Sequence, residues 1–259
     1  MWLSNVYFAL LVRGIGNIMK RVVMIEQLRK RLLDRDNPVR IHLIGVAGAG
    51  MSGIARMLLE MGHRVSGCDR VTSEETERLQ QSGLKFACPH TADAVADAEI
   101  VIYSSAIRED NVALAAARQL DCLCLRRAEC LAAILNNKKG VVVAGTHGKT
   151  TTSSMLSHTL LTAGTDPSIF IGGRLPAINA NGHAGTNDTM VCEACEFKDH
   201  YLEMTPAVSI ILNVDADHLD YFGSLENIKK SFNKYENYLP FLDKFKDVTN
   251  EESRYSCTE

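Results

Sequence analysis

Val141-Val-Val-Ala-Gly-Thr-His-Gly-Lys-Thr-Thr-Thr152 is the stretch from which the rest of the chain is read. An apolar run breaks at Gly145, Gly145 and Gly148 bracket Thr146 and His147, and Lys149 leads into Thr150, Thr151 and Thr152. That order predicts a buried strand, a tight turn and a helix. Backbone N–H groups at such a helix start point at an anion, and the helix dipole favours negative charge there. Lys149 supplies a mobile cation for the outer phosphates, and a threonine hydroxyl after it reaches a magnesium ion. The strict G-x-x-x-x-G-K-[ST] pattern is not met, because Val143 stands where its first glycine belongs. A plain glycine turn with an exposed lysine is the simpler reading. Strand, glycines, lysine and threonine arriving in order outweigh it, and the expected ligand is a nucleoside triphosphate with Mg2+.

Upstream, strand-like and helix-like segments alternate. Strands are expected at 40–45, 64–69, 85–87, 100–104 and 122–125, and helices at 51–61, 74–82, 91–98, 112–119 and 128–135. This alternation predicts an α/β chain with parallel sheets. Gly48-Ala-Gly-Met-Ser-Gly53 spells G-x-G-x-x-G between a strand and a helix, and Asp69 closes the next strand. In that context the motif predicts a diphosphate-binding turn in a Rossmann-like unit. It does not distinguish NAD from a UDP-sugar. A dehydrogenase needs no ATP loop, so two phosphate sites in succession favour an enzyme that activates a nucleotide-linked substrate.

The polar stretch 136–140 marks the expected boundary. Residues 1–38 read as an N-terminal extension and helix, and 39–136 as the Rossmann-like domain. Residues 140–242 read as a partial P-loop α/β central domain, and 243–259 as a polar tail. In the second unit a helix is expected at 150–163, strands at 169–171, 190–192 and 208–213, and a helix at 225–235. Gly172-Gly173 and the Asn/Gly-rich stretch 179–187 read as one long loop.

The composition is that of an ordinary globular protein, with 46% hydrophobic and 23% charged residues and a net charge of −3. No basic run suggests nucleic acid. The apolar segment 2–19 is interrupted by Arg13 and is too short to span a membrane. Eight scattered cysteines without a four-ligand pattern read as reduced thiols of a cytoplasmic protein rather than a zinc site.

Two acidic clusters end strands downstream of the loop: Glu193-Ala-Cys-Glu196 and Asn213-Val-Asp-Ala-Asp-His-Leu-Asp220. In a parallel sheet, strand C-termini gather on the edge that holds the phosphate loop. Glu193, Glu196, Asp217 and His218 are therefore expected near the triphosphate, where carboxylates and an imidazole suit a divalent ion.

Three blocks, 42–55, 145–152 and 193–196 with 213–220, resemble the Mur ligases. The histidine within Gly145-Thr-His-Gly-Lys is most similar to the branch that joins L-alanine to UDP-N-acetylmuramate. The resemblance implies a peptidoglycan-precursor ligase acting through an acyl phosphate. It implies that Gly145, Thr146, His147, Gly148, Lys149, Thr150 and Thr151 hold ATP. Thr150, Glu193 and His218 would organise magnesium, with Lys149, Glu193 and His218 as the catalytic set. Gly45, Gly48, Ala49, Gly50, Met51, Ser52, Asp69, His90 and Ser104 would hold the UDP-substrate. The family's third, C-terminal ligase domain finds no counterpart in the polar tail, so a fragment with little or no turnover is expected. A recycled-peptide ligase, a non-catalytic nucleotide-binding fragment and an NAD-dependent oxidoreductase are the competing readings. No protein partner is inferred.

Overall fold

The computed structural model describes residues 30–194 and 201–238, with side chains through 235. Two five-stranded sheets follow one another along the chain. The first contains β1 (Arg40–Ile44), α1 (Ala49–Glu60), β2 (Arg64–Cys68), α2 (Glu74–Gln81), β3 (Lys85–Ala87), β4 (Ile100–Tyr103), α3 (Val112–Gln119), β5 (Leu123–Arg126) and α4 (Arg127–Leu135). The second contains β6 (Lys139–Ala144), α5 (Lys149–Thr162), β7 (Ser168–Leu175), β8 (Ala180–His183), β9 (Thr189–Glu193), β10 (Val208–Ile211), α6 (Leu219–Phe222) and α7 (Leu225–Tyr238).

The first sheet is parallel with strand order β3-β2-β1-β4-β5. Its order reverses direction between β1 and β4, which opens a crevice at their C-terminal ends. The strands form because four consecutive β1 residues, Ile41 to Ile44, and Ile100 to Ile102 of β4 are buried on both faces, the pattern of a covered parallel sheet. The second sheet has order β10-β6-β9-β7-β8, parallel except for β8 against β7. One continuous apolar core includes Leu43, Met57 and Ile102 as well as Phe170, Met190 and Tyr235.

The structure corrects two expectations. The helix expected at 91–98 is a single 3-10 turn, Ala92–Val95, because only Val95 of that turn is buried. The long loop expected at 172–187 is largely strand: β7 runs through Gly172 and Gly173, and 180–183 pairs antiparallel with it. The glycines mislead because they answer to close approach, not to turning. A methyl on Gly182 would fall on the backbone carbonyl of Gly53 in α1. At Gly172 it would stand 2.8 Å from Glu193 Oε2.

The contact of α1 with β7 and β8 joins the two sheets. His183 bridges them: Nδ1 lies 2.9 Å from Glu60 Oε2 and Nε2 lies 2.8 Å from Asp166 Oδ1. Ala184 N–H also donates to Glu60, at 2.8 Å. The hydrogen bond to Glu60 raises the His183 pKa above its ordinary value, and burial opposes this. Burial pushes the Glu60 carboxyl up, but the His183 ring, the Ala184 amide and Arg56 outweigh it and hold it at about 2. The His183 ring also lowers Asp166 to about 2. A raised histidine stabilises the fold below its unfolded pKa and ceases to as pH rises through the folded value. The lowered carboxylates stabilise it above their unfolded pKa values and cease to as pH falls through about 2. The melting difference between wild type and His183→Gln is therefore expected to be largest at about pH 5–6 and to shrink by about pH 9. A difference that stays constant from pH 5 to 9 would count against this bridge.

Candidate functional site

Sheet register assembles the second-sheet site. β6 lies between β9 and β10, and Val143 pairs with Glu193 while Ala144 pairs with Ile211. The loop leaving β6 is thus flanked by Glu193 on one side and by the segment after β10 on the other. Gly145 turns at φ +123°, and a methyl there would stand 3.0 Å from both N and O of Asn213. Gly148 opens α5 at φ +85° without a side-chain cap, and the first turn of α5 carries no acid. The first amides of a helix have no intrahelical acceptor, so this end is fitted to an anion.

Asn213 clamps the loop. It accepts the Thr146 N–H on its backbone O at 3.1 Å and the His147 N–H on Oδ1 at 2.8 Å, and its Nδ2 donates to His147 O at 3.0 Å. Thr146 is buried, and its hydroxyl accepts from Asp215 N at 2.8 Å. The amides of Thr146 and His147 are thereby committed to the protein. Those of Gly148 and the first turn of α5 lie at the helix start, the end suited to an anion. Lys149 Nζ folds back on its own loop, donating to Gly145 O at 2.6 Å and Thr146 O at 3.1 Å. Thr151 is exposed on the same turn.

Glu193 is the best-fixed acid of the site. Its Oε1 accepts from Ser153 Oγ and from Gly172 N, each at 2.8 Å. Its Oε2 accepts from Thr150 Oγ1 at 3.1 Å. Two donors hold one oxygen, so the other is presented beside a threonine hydroxyl at the mouth of the phosphate loop. A carboxylate oxygen next to a hydroxyl is the hard-donor chemistry that magnesium prefers. His218 stands at the start of α6, in left-handed backbone at φ +49°, with its N–H donating to Asp217 Oδ1 at 2.7 Å. Glu196 lies outside the described residues.

In the first sheet, a cavity of about 470 Å³ opens at the β1–β4 switch point. Gly45, Gly48, Asp69, His90 and Ser104 line it together, with Arg70 and Arg108 adding charge. Asp69 accepts the Ala47 N–H on Oδ2 at 2.9 Å and so fixes the glycine turn. Gly48 and Ala49 begin α1 beside this cavity, whereas Met51 and Ser52 are buried and their amides bond Gly48 O at 2.9 and 2.8 Å. Those two residues set the turn rather than line the cavity.

The glycines of the motif divide their work. Gly50 lies beneath Arg127, whose Nη1 would be 2.7 Å from a methyl there. Gly53 packs on Phe170 and Asn181 of the second sheet. Asn181 carries no sequence signal, and Arg127 lies within Arg126-Arg-Ala-Glu129, a weaker block of the family resemblance. Asn181 Nδ2 donates to the Ala49 carbonyl and, at 3.2 Å, to Ser52 Oγ, tying the turn to β8. No periodicity marks either residue, because the contacts arise only when the two sheets meet.

The described cysteines are free thiols, with Cys68, Cys130 and Cys192 buried and Cys88 exposed. Among the described residues, no group of three or more His, Cys, Asp or Glu side chains is arranged to hold a metal, and no helix is long and apolar enough to cross a membrane.

Comparison with known proteins bears on both halves. Residues 40–139 match the Mur ligase family, catalytic domain, and residues 143–241 match the Mur ligase middle domain. The chain is 44% identical to the UDP-N-acetylmuramate--L-alanine ligase of Caldanaerobacter subterraneus subsp. tengcongensis, over 80% of this chain and 45% of that protein. It is 45% identical to the enzyme of that name from Geotalea daltonii, over 78% of this chain and 44% of that protein. The chain thus spans about half the length of the curated relatives it matches. Its structure is similar to UDP-N-acetylmuramate-alanine ligase MurC from Thermotoga maritima, with TM-score 0.73, 31% identity, and coverage of 78% of this chain and 47% of that one. It is also similar to UDP-N-acetylmuramate:L-alanyl-gamma-D-glutamyl-meso-diaminopimelate ligase from Neisseria meningitides, with TM-score 0.72, 26% identity, and coverage of 79% and 69%.

Proposed function

The chain belongs to the Mur ligase family, and we propose that it serves an ATP-dependent ligase joining L-alanine to UDP-N-acetylmuramate in peptidoglycan-precursor synthesis. The carrying observation is the Glu193 carboxylate, held by Ser153 and Gly172 and turned to Thr150 beside the Lys149 loop. The division of labour follows the two sheets: residues 39–136 take the UDP-substrate in the β1–β4 cavity, and 140–242 take ATP at the phosphate loop. Asp69, His90 and Ser104 face the nucleotide part of the substrate, and Gly45 and Gly48 allow its diphosphate to approach.

The substrate carboxylate attacks the γ-phosphorus of ATP, giving an acyl phosphate and ADP. The L-alanine amine then attacks the acyl carbon, the amide forms, and inorganic phosphate leaves with the amine proton passing to solvent or a base. The protein's work is positioning and charge neutralisation. Lys149 and the first amides of α5 hold the β- and γ-phosphates. Thr150, Glu193 and His218 are the side chains assigned to magnesium. The metal, when bound, neutralises charge developing on the transferred phosphoryl oxygens. Gly145, Thr146 and His147 act through the shape of the loop that Asn213 clamps. Substrates and free thiols of this kind fit a cytoplasmic location.

Hydroxylamine trapping in the presence of ATP, Mg2+ and UDP-N-acetylmuramate tests the reading on the protein that carries this chain. Hydroxamate formation requiring all three, with phosphate release stimulated by L-alanine, is expected. Stimulation by the L-Ala–γ-D-Glu–meso-diaminopimelate tripeptide instead would move the assignment to the recycled-peptide reaction. No binding of either nucleotide would overturn the reading.

A further inference from the structure

From the wall of the first-sheet cavity runs a polar chain, buried at His42 and Cys68 and half-buried at its two ends, of which the ligase reading uses only His90. Ser66 Oγ lies 3.4 Å from the Ile41 carbonyl and 2.9 Å from His42 Nδ1. His42 Nε2 lies 3.2 Å from Cys68 Sγ, and the same sulfur lies 3.0 Å from His90 Nδ1. His42 is 1% exposed and Cys68 is fully buried, whereas His90 reaches the cavity wall. Such groups are costly to bury unless each proton has an acceptor. Two proton orders satisfy these contacts, and only the second keeps the Ser66–Ile41 hydrogen bond: either Ser66 donates to His42 Nδ1 and every later proton points toward His90, or the protons run the other way. In the second, the Ser66 hydroxyl donates to the Ile41 carbonyl and accepts the His42 Nδ1–H. His42 Nε2 is then a lone pair and accepts the Cys68 S–H. The sulfur accepts the Nδ1–H of His90, leaving His90 Nε2 as a lone pair.

We propose that Cys68 and His42 are positioning residues that hold His90 as its Nδ1–H tautomer, so that its Nε2 accepts a hydrogen bond from the nucleoside of the bound sugar nucleotide. This rests on the reading that the β1–β4 cavity takes the UDP moiety. A uridine offers such a donor from the ribose hydroxyls or from the imide N3–H. A free histidine side chain in water favours the opposite tautomer, so the Ser66–Ile41 hydrogen bond, passed on through His42 and Cys68, is what selects this one. The ionisation behaviour agrees with a neutral chain. Burial pushes the Cys68 thiol up to about 12 and His42 down to about 4, and it lowers His90 as well. The charged and titratable groups acting on this chain besides its own members are Asp69, Arg70 and Cys88.

Two-bond 1H–15N correlation spectra of the ring nitrogens read the tautomer directly, with His90→Gln assigning the signal. At pH 7 the wild type is expected to show Nδ1–H at His90. Cys68→Ala moves the population toward Nε2–H, and Cys68→Ser, which restores a donor-acceptor at the same place, returns it. UDP affinity is expected to fall about threefold to tenfold in Cys68→Ala and to recover in Cys68→Ser, the scale of one neutral hydrogen bond. Comparing UDP with its 2′-deoxy and N3-methyl analogues identifies the donor, since only the analogue lacking it becomes insensitive to Cys68→Ala. An Nε2–H signal in the wild type, or a tautomer unchanged in Cys68→Ala, overturns the proposal. A wild type that shows the Nδ1–H tautomer yet fails to bind UDP overturns the cavity assignment instead.

Discussion

Gly182→Ala is expected to be the most destabilising single-methyl change among the contacts described, lowering the thermal midpoint by roughly 10 °C. The added carbon would overlap the Gly53 carbonyl, which is backbone within α1 and cannot swing aside. Relief requires α1 to move off β8. That movement would also loosen the His183–Glu60 bridge and the Asn181 contact with Ala49. Overpacking of this kind costs about 1–3 kcal/mol where side chains can yield and more where they cannot. Gly53→Ala is the internal comparison. Its methyl would meet Phe170 Cε2 at 3.1 Å and the Asn181 amide at 3.3 Å, both side-chain atoms able to shift. Calorimetry should therefore rank wild type above Gly53→Ala and Gly53→Ala well above Gly182→Ala. A Gly182→Ala protein melting with the wild type would show that α1 and β8 do not touch in solution.

Lys149→Met is expected to weaken ATP binding about 100-fold in the presence of Mg2+, with UDP-sugar binding changed less than about twofold. The ammonium is held by the Gly145 and Thr146 carbonyls, which places its charge inside the curl of the loop. Methionine keeps the length and much of the packing but removes the charge that opposes the phosphates. The first-sheet cavity does not include this loop, so its occupancy reports on folding of the variant. Titration calorimetry with each nucleotide separates the two effects. ATP affinity within threefold of wild type would remove Lys149 from the phosphate site.

The main organisation was legible because it is written in local signals. Val141 to Ala144, the Gly145 and Gly148 turn and the start of α5 are consecutive, so strand, loop and helix could be placed to within a residue or two. The same holds for β1, the Gly48 turn and α1. Asp69, His90 and Ser104, far apart in sequence, line one cavity with Gly45 and Gly48. Thr150 Oγ1 and Glu193 Oε2 stand 3.1 Å apart, although the residues are 43 positions distant in sequence.

What was missed lies where glycine carries a tertiary meaning. Gly172, Gly173 and Gly182 read as loop because glycine is a poor strand former. They stand in strands, and they are glycine because Glu193, Thr150 and Gly53 come too close for a side chain. Arg127 and Asn213 stand in stretches quoted from the sequence, but the contacts of Arg127 with Gly50 and of Asn213 with the loop are each made across elements remote in sequence.

By itself the sequence determined two α/β units, each with a phosphate-type turn after its first strand, and the acids that follow the second. Hydrophobic period, glycine spacing and strand-end position are properties of neighbouring residues, so they survive without coordinates. The tertiary structure alone decided that β8 pairs antiparallel beside β7, and that α1 locks onto that pair. It also decided which amides of the loop after β6 are already taken by Asn213, and that a Ser66–His42–Cys68–His90 chain reaches the cavity wall at His90. These are pairings of backbone and polar atoms across sheets and between strands, and their energies depend on distances that no single segment encodes.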